Sequence, residues 1–178
     1  WGNRYLTEAF SKNAGVLETA DLGIAVLGRH GDGLVDWNLS LVNGEGYAKV
    51  EVDSGKAAQA RVTVDPLAKA EGLELPITVF GAMSGHPTTG VPTFVYGAAT
   101  GFQMHYLLVW AELLGEIEGD TRGMGYSATL NPRHPKYAGM VLRYDRWDPD
   151  TSTGADAENM LLVAIERELS DDKSLLCQ

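Results

Sequence analysis

The chain has 178 residues, with 24 acidic and 14 basic side chains and a net charge of −10. This length allows one domain with a substantial core, and the acidic balance excludes a surface built to bind nucleic acid. The single cysteine, Cys177, excludes an intrachain disulfide and a cysteine-based metal cluster. No apolar run is long enough for a transmembrane helix, although the run of about ten residues at Tyr106–Gly115 is what a tilted membrane strand needs.

Alternating apolar and polar residues divide the chain into about nine short segments, each of which predicts a β-strand. In the clearest segment, Trp37 and its apolar neighbours alternate with Asp36, Asn38 and Ser40, so one face of the strand is apolar and the other is polar. Helix is retained as an alternative only for Phe102–Gly119, because its leucine, alanine and glutamate residues favour helix by intrinsic propensity. The predicted strands, in chain order, are Ala20–Arg29, Leu34–Asn43, Ala57–Asp65, Leu75–Ser84, Thr93–Ala99, His105–Gly115, Gly123–Asn131, Ala138–Trp147 and Ala157–Leu169.

The connections between these segments differ in length. The connections HGDG, TGFQM and PRHPK are short, GEGYAKVEVDSGK is long, and PLAKAEGLE, GHPTTGVP, EIEGDTR and the loop after Trp147 are intermediate. In a transmembrane β-barrel, one rim carries short turns and the other carries longer polar loops. The alternation is imperfect, but it favours a membrane barrel over a soluble sandwich.

The acidic stretch Asp148–Asn159 carries oxygen-bearing side chains at spacings similar to the first ligands of an EF-hand calcium loop. The match fails at two positions, because Thr153 stands where a glycine is required and Asn159 where a bidentate glutamate is required. We therefore predict a solvated loop that joins two strands. The four histidines, His30, His86, His105 and His134, lack the spacing of a metal site. Nothing in the sequence predicts a catalytic residue, a metal site or a cofactor.

Two segments resemble the bacterial outer-membrane porins of the phosphate-selective porin O/P type. They are ADLGIAVLGRHGDGLVDWNLSLVNGEGY and GMGYSATLNPRHPKYAGMVLRYDRWDPDT, and the resemblance extends more loosely from Ala20 to Leu169. It implies an all-β fold, an antiparallel transmembrane β-barrel around a water-filled channel in the bacterial outer membrane. The acidic loop would lie on the extracellular rim and NPRHPK would be a periplasmic turn. Porins of this type are commonly trimers, so the resemblance also implies a homotrimer.

The resemblance implies that this chain holds only part of a barrel. Residues 1–178 would form a single domain that corresponds to the C-terminal half of the family, truncated at both ends, with about nine strands visible. An open barrel edge in lipid leaves backbone N–H and C=O groups unpaired. Further strands would therefore be needed to close it.

The predicted faces of the barrel assign roles to individual side chains. Acidic side chains outnumber basic ones on the predicted channel face, so we expect a general, weakly cation-preferring pore and not a phosphate channel. The predicted pore-lining residues are Asp36, Asn38, Ser40, Arg61, Thr63, Asp65, Glu112, Arg143, Asp145 and Glu166. The predicted aromatic girdle at the membrane interfaces is Trp37, Tyr126, Tyr144 and Trp147, with core packing in a soluble sheet as the alternative.

Three functions remain open at this stage. The first is a passive pore, whose partners are membrane lipid and small ions or polar solutes. The second is a barrel that acts as a structural sleeve or assembly partner around another protein. The third is a soluble β-barrel or sandwich that binds a small ligand. Neither an enzymatic activity nor a nucleic-acid partner is expected from the sequence.

Overall fold

A computed structural model describes residues 9–17, 22–43, 56–85, 91–133 and 138–166, most of which lie in one antiparallel β-sheet. The all-β prediction is therefore confirmed, and each of the predicted strands overlaps an observed one. The helix alternative for Phe102–Gly119 is wrong, because that stretch is strand on both sides of a tight turn. The described elements are α1 (Phe10–Asn13), β1 (Gly23–His30), β2 (Val35–Val42), β3 (Ala57–Val64), β4 (Leu73–Glu74), β5 (Ile77–Gly85), β6 (Pro92–Met104), β7 (Leu107–Glu118), β8 (Thr121–Pro132), β9 (Gly139–Asp148) and β10 (Glu158–Glu166).

The strands lie side by side almost in chain order. The sheet runs β1-β2-β3-β5-β6-β7-β8-β9-β10, and the two-residue strand β4 pairs with the end of β6. Strands β1 and β10 form its two edges and do not pair with each other in the described residues, so this sheet is open. The expected barrel was incomplete in this chain, and the described strands form a sheet that is not closed into a barrel. Among the described residues, no helix is long and apolar enough to span a membrane.

The register gives the sheet two chemically different faces. Residues directly opposite each other in an antiparallel pair point to the same face, so each face can be followed from strand to strand. One face carries Asn38, Arg61, Glu112 and Ser127, and we name it the polar face. The other is the apolar face, whose row across the sheet includes Trp37, Val62, Val79, Ala98, Leu113 and Tyr126.

The strand ends define two rims. The first rim holds the ends His30, Val64, Met104 and Pro132, and the second holds Val42, Gly85, Glu118 and Asp148. The described connections follow the expected alternation of short and long only in part: 31–34 and 105–106 are short on the first rim and 149–157 is longer on the second, but two connections depart from it. A tight turn at Gly119–Asp120, with Gly119 at φ 60°, lies on the second rim, whereas the long connection from Asp65 to Pro76 lies on the first.

Strand β6 is longer than predicted because Gly101 does not end it. TGFQM, which was expected to be a turn, forms the last part of β6. The ring of Trp110 on β7 lies over Gly101, and a Cβ added there would come within 2.5 Å of the Trp110 Cε3 atom. Gly97 is covered in the same way by Phe80 on β5. These glycines make room for aromatic rings on neighbouring strands, so they continue the sheet.

Residues 9–17 pack on the polar face near the second rim. Phe10 is 3% exposed and meets the ring of Trp147 edge to face, with 6.4 Å between the ring centroids. Leu114 and Val95 complete this cluster, and Ala14, Val16 and Leu17 are packed against it. This is the main buried apolar cluster of the described residues, and it fixes the helix α1 to strands β6–β9.

Candidate functional site

A buried ion pair lies on the polar face of β9, next to the edge strand β10. The guanidinium of Arg143 donates from Nε to Oδ1 of Asp145 at 2.8 Å and from Nη2 to Oδ2 at 2.6 Å. Both side chains are almost fully buried, at 2% and 5% exposure. This two-pronged geometry is the strongest form of an arginine–carboxylate pair, and it neutralises the positive charge of Arg143 locally.

Glu112 lies beside this pair on the same face. It stands opposite Ser127 on β8, and Ser127 in turn stands opposite Asp145 on β9. The indole N–H of Trp110 donates a hydrogen bond to the Glu112 carboxylate. Glu112 is therefore two strands away from Asp145 in the same row of the polar face, and this region holds two carboxylates and one guanidinium.

A second ion pair joins β1 and β2 near the first rim. Arg29 donates from Nε to Oδ1 of Asp36 at 2.7 Å, and the two residues are direct partners in the register. Both are more exposed than the pair on β9, so solvent screens this interaction and its contribution to stability is small. Arg61 stands on β3 opposite Asn38, one strand away.

Uncharged polar side chains form a hydrogen-bonded row across β2, β3 and β5. The Thr63 and Thr78 hydroxyl groups are 2.8 Å apart, and the Ser40 hydroxyl donates to Oε1 of Gln59 at 3.5 Å. The predicted pore-lining residues Asn38, Ser40, Arg61 and Thr63 therefore share one face with Asp36, Glu112, Arg143 and Asp145, as the alternation predicted.

Of the remaining two predicted pore-lining residues, Asp65 lies outside the strands, whereas Glu166 has the register position of the polar face, as predicted. Asp65 lies past the end of β3, where its Oδ1 accepts the backbone N–H groups of Leu67 and Leu75 at 2.9 and 3.1 Å. Its carboxylate thereby holds both ends of the long connection on the first rim. Glu166 is the last residue of β10 and pairs through its backbone with Gly139.

Several acidic residues on the polar face were not predicted as pore-lining. Glu116 and Glu118 on β7 and Glu158 on β10 share the parity of Glu112 and Asp145. Glu116 stands opposite Val95 and Gly123, close to the cluster around Phe10. Counting by two from Glu112 along β7 would have found Glu116 and Glu118.

The apolar face carries large exposed hydrophobic side chains from one edge of the sheet to the other. Ile24 on β1 is 74% exposed, Leu113 on β7 is 62% exposed and Ile165 on β10 is 79% exposed. In the described strands the charged and histidine side chains of this face are His30, Arg122, Arg146 and Asp148, none more than two residues from a strand end. An apolar area of this extent is far larger than the patches normally found on soluble monomers.

Three of the four predicted girdle residues lie on this apolar face. Trp37 stands near the first-rim end of β2, and Tyr126 and Tyr144 form a ring pair with centroids 6.0 Å apart. The prediction for Trp147 is corrected, since the register places it on the polar face opposite Gly125, where it packs against Phe10. Trp147 and Tyr144 are an odd number of residues apart on β9, so their side chains point to opposite faces, and the sequence alone shows this.

A wide groove of ≈ 740 Å³ lies against the apolar face of strands β1 to β7. Its lining is almost entirely apolar and includes Ile24, Leu39, Met83, Phe94, Tyr96 and Ile117. The groove is large enough for a hydrocarbon chain, but its lining has almost no hydrogen-bonding groups that could orient a polar ligand.

The acidic loop after β9 is organised by Asp150. Its Oδ1 accepts the backbone N–H and the hydroxyl of Ser152 at 3.0 and 2.7 Å, and its Oδ2 accepts the Thr153 hydroxyl at 3.1 Å. These bonds, mainly the one from the Ser152 hydroxyl, hold the pKa of Asp150 below its usual value. Within the described ranges, no three His, Cys, Asp or Glu side chains are grouped so that they could hold a metal ion.

Comparisons with known proteins were made at three levels. Protein-family models, curated proteins and solved structures gave no match to this chain. The chemistry of the two faces therefore carries the functional argument. A sheet with one apolar face and one face of charged and hydroxyl groups can separate a nonpolar medium from a polar one.

Proposed function

We propose that this chain forms part of the wall of an outer-membrane porin, a β-barrel around a water-filled channel through which ions and small polar solutes diffuse. The observation that carries this proposal is the separation of chemistry between the two faces of the sheet. The charged side chains within the strands lie on one face, which also holds the buried cluster around Phe10, whereas the other face carries charge only near the strand ends. The bacterial outer membrane as the location rests on the resemblance of the two sequence blocks.

The dimensions of the apolar face support a membrane setting. On the apolar face, β7 carries no charged side chain along its length. The side chains that it presents there include Leu107, Val109, Ala111, Leu113 and Ile117. At about 3.3 Å per residue this stretch is about 33 Å long, and at a strand tilt of about 40–45° it spans ~24 Å along the membrane normal. The apolar band of a membrane barrel is about 25 Å tall.

The charges on the polar face support a pore that prefers cations. Two of its arginines, Arg29 and Arg143, are already paired with carboxylates, whereas Glu116, Glu118 and Glu158 add negative charge to the same face. A ring of carboxylates in a pore attracts cations and repels anions. Reversal potentials across planar bilayers with unequal KCl should therefore indicate moderate cation preference, and a strong anion preference would reject this part of the proposal.

The decisive experiment uses tryptophans on opposite faces. Variants that retain only Trp37, on the apolar face, or only Trp110, on the polar face, are reconstituted in vesicles of phosphatidylcholine with brominated acyl chains. We expect strong quenching of Trp37 fluorescence and little quenching of Trp110. Equal quenching of both, or of neither, would remove the membrane-wall proposal.

One observation favours a second candidate function, a soluble protein that binds an apolar ligand. The groove lined by Ile24, Met83 and Phe94 is large enough for a hydrocarbon chain. A protein that stays folded and monomeric in buffer without detergent, and that takes up a fatty acid, would support this candidate over the pore. The structural sleeve has weaker support in the packing of residues 9–17 on the polar face, and it would give no conductance in a planar bilayer.

A further inference from the structure

Two arginines on the apolar face differ from Arg29 and Arg143 on the polar face. Arg122 on β8 and Arg146 on β9 are exposed, and neither guanidinium forms an ion pair or a side-chain hydrogen bond within the described residues. By contrast, Arg29 and Arg143 on the polar face each hold a carboxylate. The sheet thus pairs these two arginines on one face and leaves two unpaired near the second rim of the other.

Aromatic and amide groups lie beside Arg146, whereas Arg122 stands opposite Ile117, four residues before Tyr126 on β8. Arg146 stands between Tyr126 on β8 and Asn159 on β10 in the register. Tyr144 lies two residues away on the same face, where its hydroxyl donates to Oδ1 of Asn159 at 2.7 Å. The rings of Tyr126 and Tyr144 are 6.0 Å apart. We name Arg122, Tyr126, Tyr144, Arg146 and Asn159 the arginine–tyrosine patch.

The position of the patch indicates the kind of partner. It lies towards the second rim on β8–β10, and the residues nearer the first rim on the same face are apolar, including Leu142, Leu161, Val163 and Ile165. Arg122 stands opposite Ile117, the last residue of the apolar stretch on β7, whereas Tyr126 and Arg146 share the row of Leu113. The long side chain of Arg146 would extend from that row towards the headgroups. Guanidinium groups bind phosphate oxygens in a two-pronged geometry, and they do so best when no carboxylate competes. Asp148 lies on the same face but forms no ion pair with Arg146 in the described residues.

We propose that the arginine–tyrosine patch binds the phosphate headgroup of an anionic membrane lipid. This inference rests on the proposed function, because it places the patch at the interface of a membrane. Charge complementarity and position favour a lipid headgroup over a protein partner. The tyrosines would lie beside the upper part of the acyl chains, and the arginines would reach the phosphate.

The experiment compares lipids that differ in headgroup charge. Native mass spectrometry of the protein in neutral detergent micelles, titrated with phosphatidylglycerol or phosphatidylcholine, measures the affinity of the first bound lipid. We expect phosphatidylglycerol to bind more tightly by about fivefold for each arginine engaged. In the variant R122Q/R146Q this preference should disappear, and each single variant should lose part of it.

Controls separate this proposal from others. R61Q removes a positive charge from the polar face and should keep the full preference. A persistent preference in R122Q/R146Q, an absent one in the wild type, or displacement of the lipid by inorganic phosphate at equal concentration would overturn the assignment. Quenching of Trp37 by brominated phosphatidylcholine distinguishes a failure of the membrane proposal from a failure of the patch alone. If Trp37 is not quenched, the membrane proposal itself is wrong, whereas quenching without headgroup preference rejects the patch alone.

Discussion

Leu113 offers a test, because a charge placed there should change the free energy of unfolding by different amounts if the apolar face contacts water or lipid. It lies in the middle of β7, is 62% exposed, and has Ala98 and Tyr126 as its neighbours in the register. If this face were in water, Leu113→Arg would place a charge on a solvated surface and change the free energy of unfolding by no more than about 0.5 kcal/mol. If the face contacts lipid near the bilayer midplane, the same change should cost about 2–4 kcal/mol.

The depth dependence gives this test its control. Met104 is the last residue of β6 on the same face, so Met104→Arg should cost only about 0–1 kcal/mol in a membrane. Gln103 stands beside it on the polar face, and Gln103→Arg should lie within about 0.5 kcal/mol of wild type in either environment. The assay is reversible denaturant unfolding in lipid vesicles, followed by tryptophan fluorescence. Equal and small costs at Leu113 and Met104 would refute the reasoning.

Three further predictions concern the polar face and the acidic loop. Asp145→Asn leaves the charge of Arg143 without its carboxylate, so reversal potentials should shift towards anions, and the double variant R143Q/D145N should restore the wild-type preference. The single change should also destabilise the protein by about 3–5 kcal/mol, which denaturant unfolding measures. Phe10→Ala removes the ring that anchors residues 9–17 to the polar face, and single-channel conductance should rise, whereas unchanged conductance would mean that this segment does not narrow the pore. Asp150→Ala should lower the protection of the Ser152 amide against hydrogen exchange, measured relative to the intrinsic rate at that pH, and acid should do the same to the wild type, because a carboxylate with a lowered pKa supports the loop at neutral pH and loses its bonds as the pH falls through that pKa.

Much of the fold could be predicted because apolar and polar residues alternate within each strand. The positions of Asp36, Arg61 and Asp145 on one face follow from counting by two within a strand, without knowledge of the neighbours. The error at Trp147 came from grouping residues by type, since its parity is that of Asp145.

Other features could not be predicted because they depend on contacts between strands. Gly101 resembles a turn residue in the sequence, and only the register shows that Trp110 occupies the space of its missing side chain. The pairing of Arg29 with Asp36 likewise needs the exact alignment of β1 with β2. The burial of Phe10 requires strands that lie far along the chain, so a local pattern carries no signal for it.

The buried position of Phe10 also affects the order of folding. Its contacts are Val95, Leu114, Gly125 and Trp147, on four strands that follow it at large sequence separation. The segment can take its final position only after β6–β9 have paired, although it is synthesised first. Contacts of this kind close long loops and slow folding. We expect the fluorescence of Trp147 to report this docking as the last kinetic phase, after the sheet has formed.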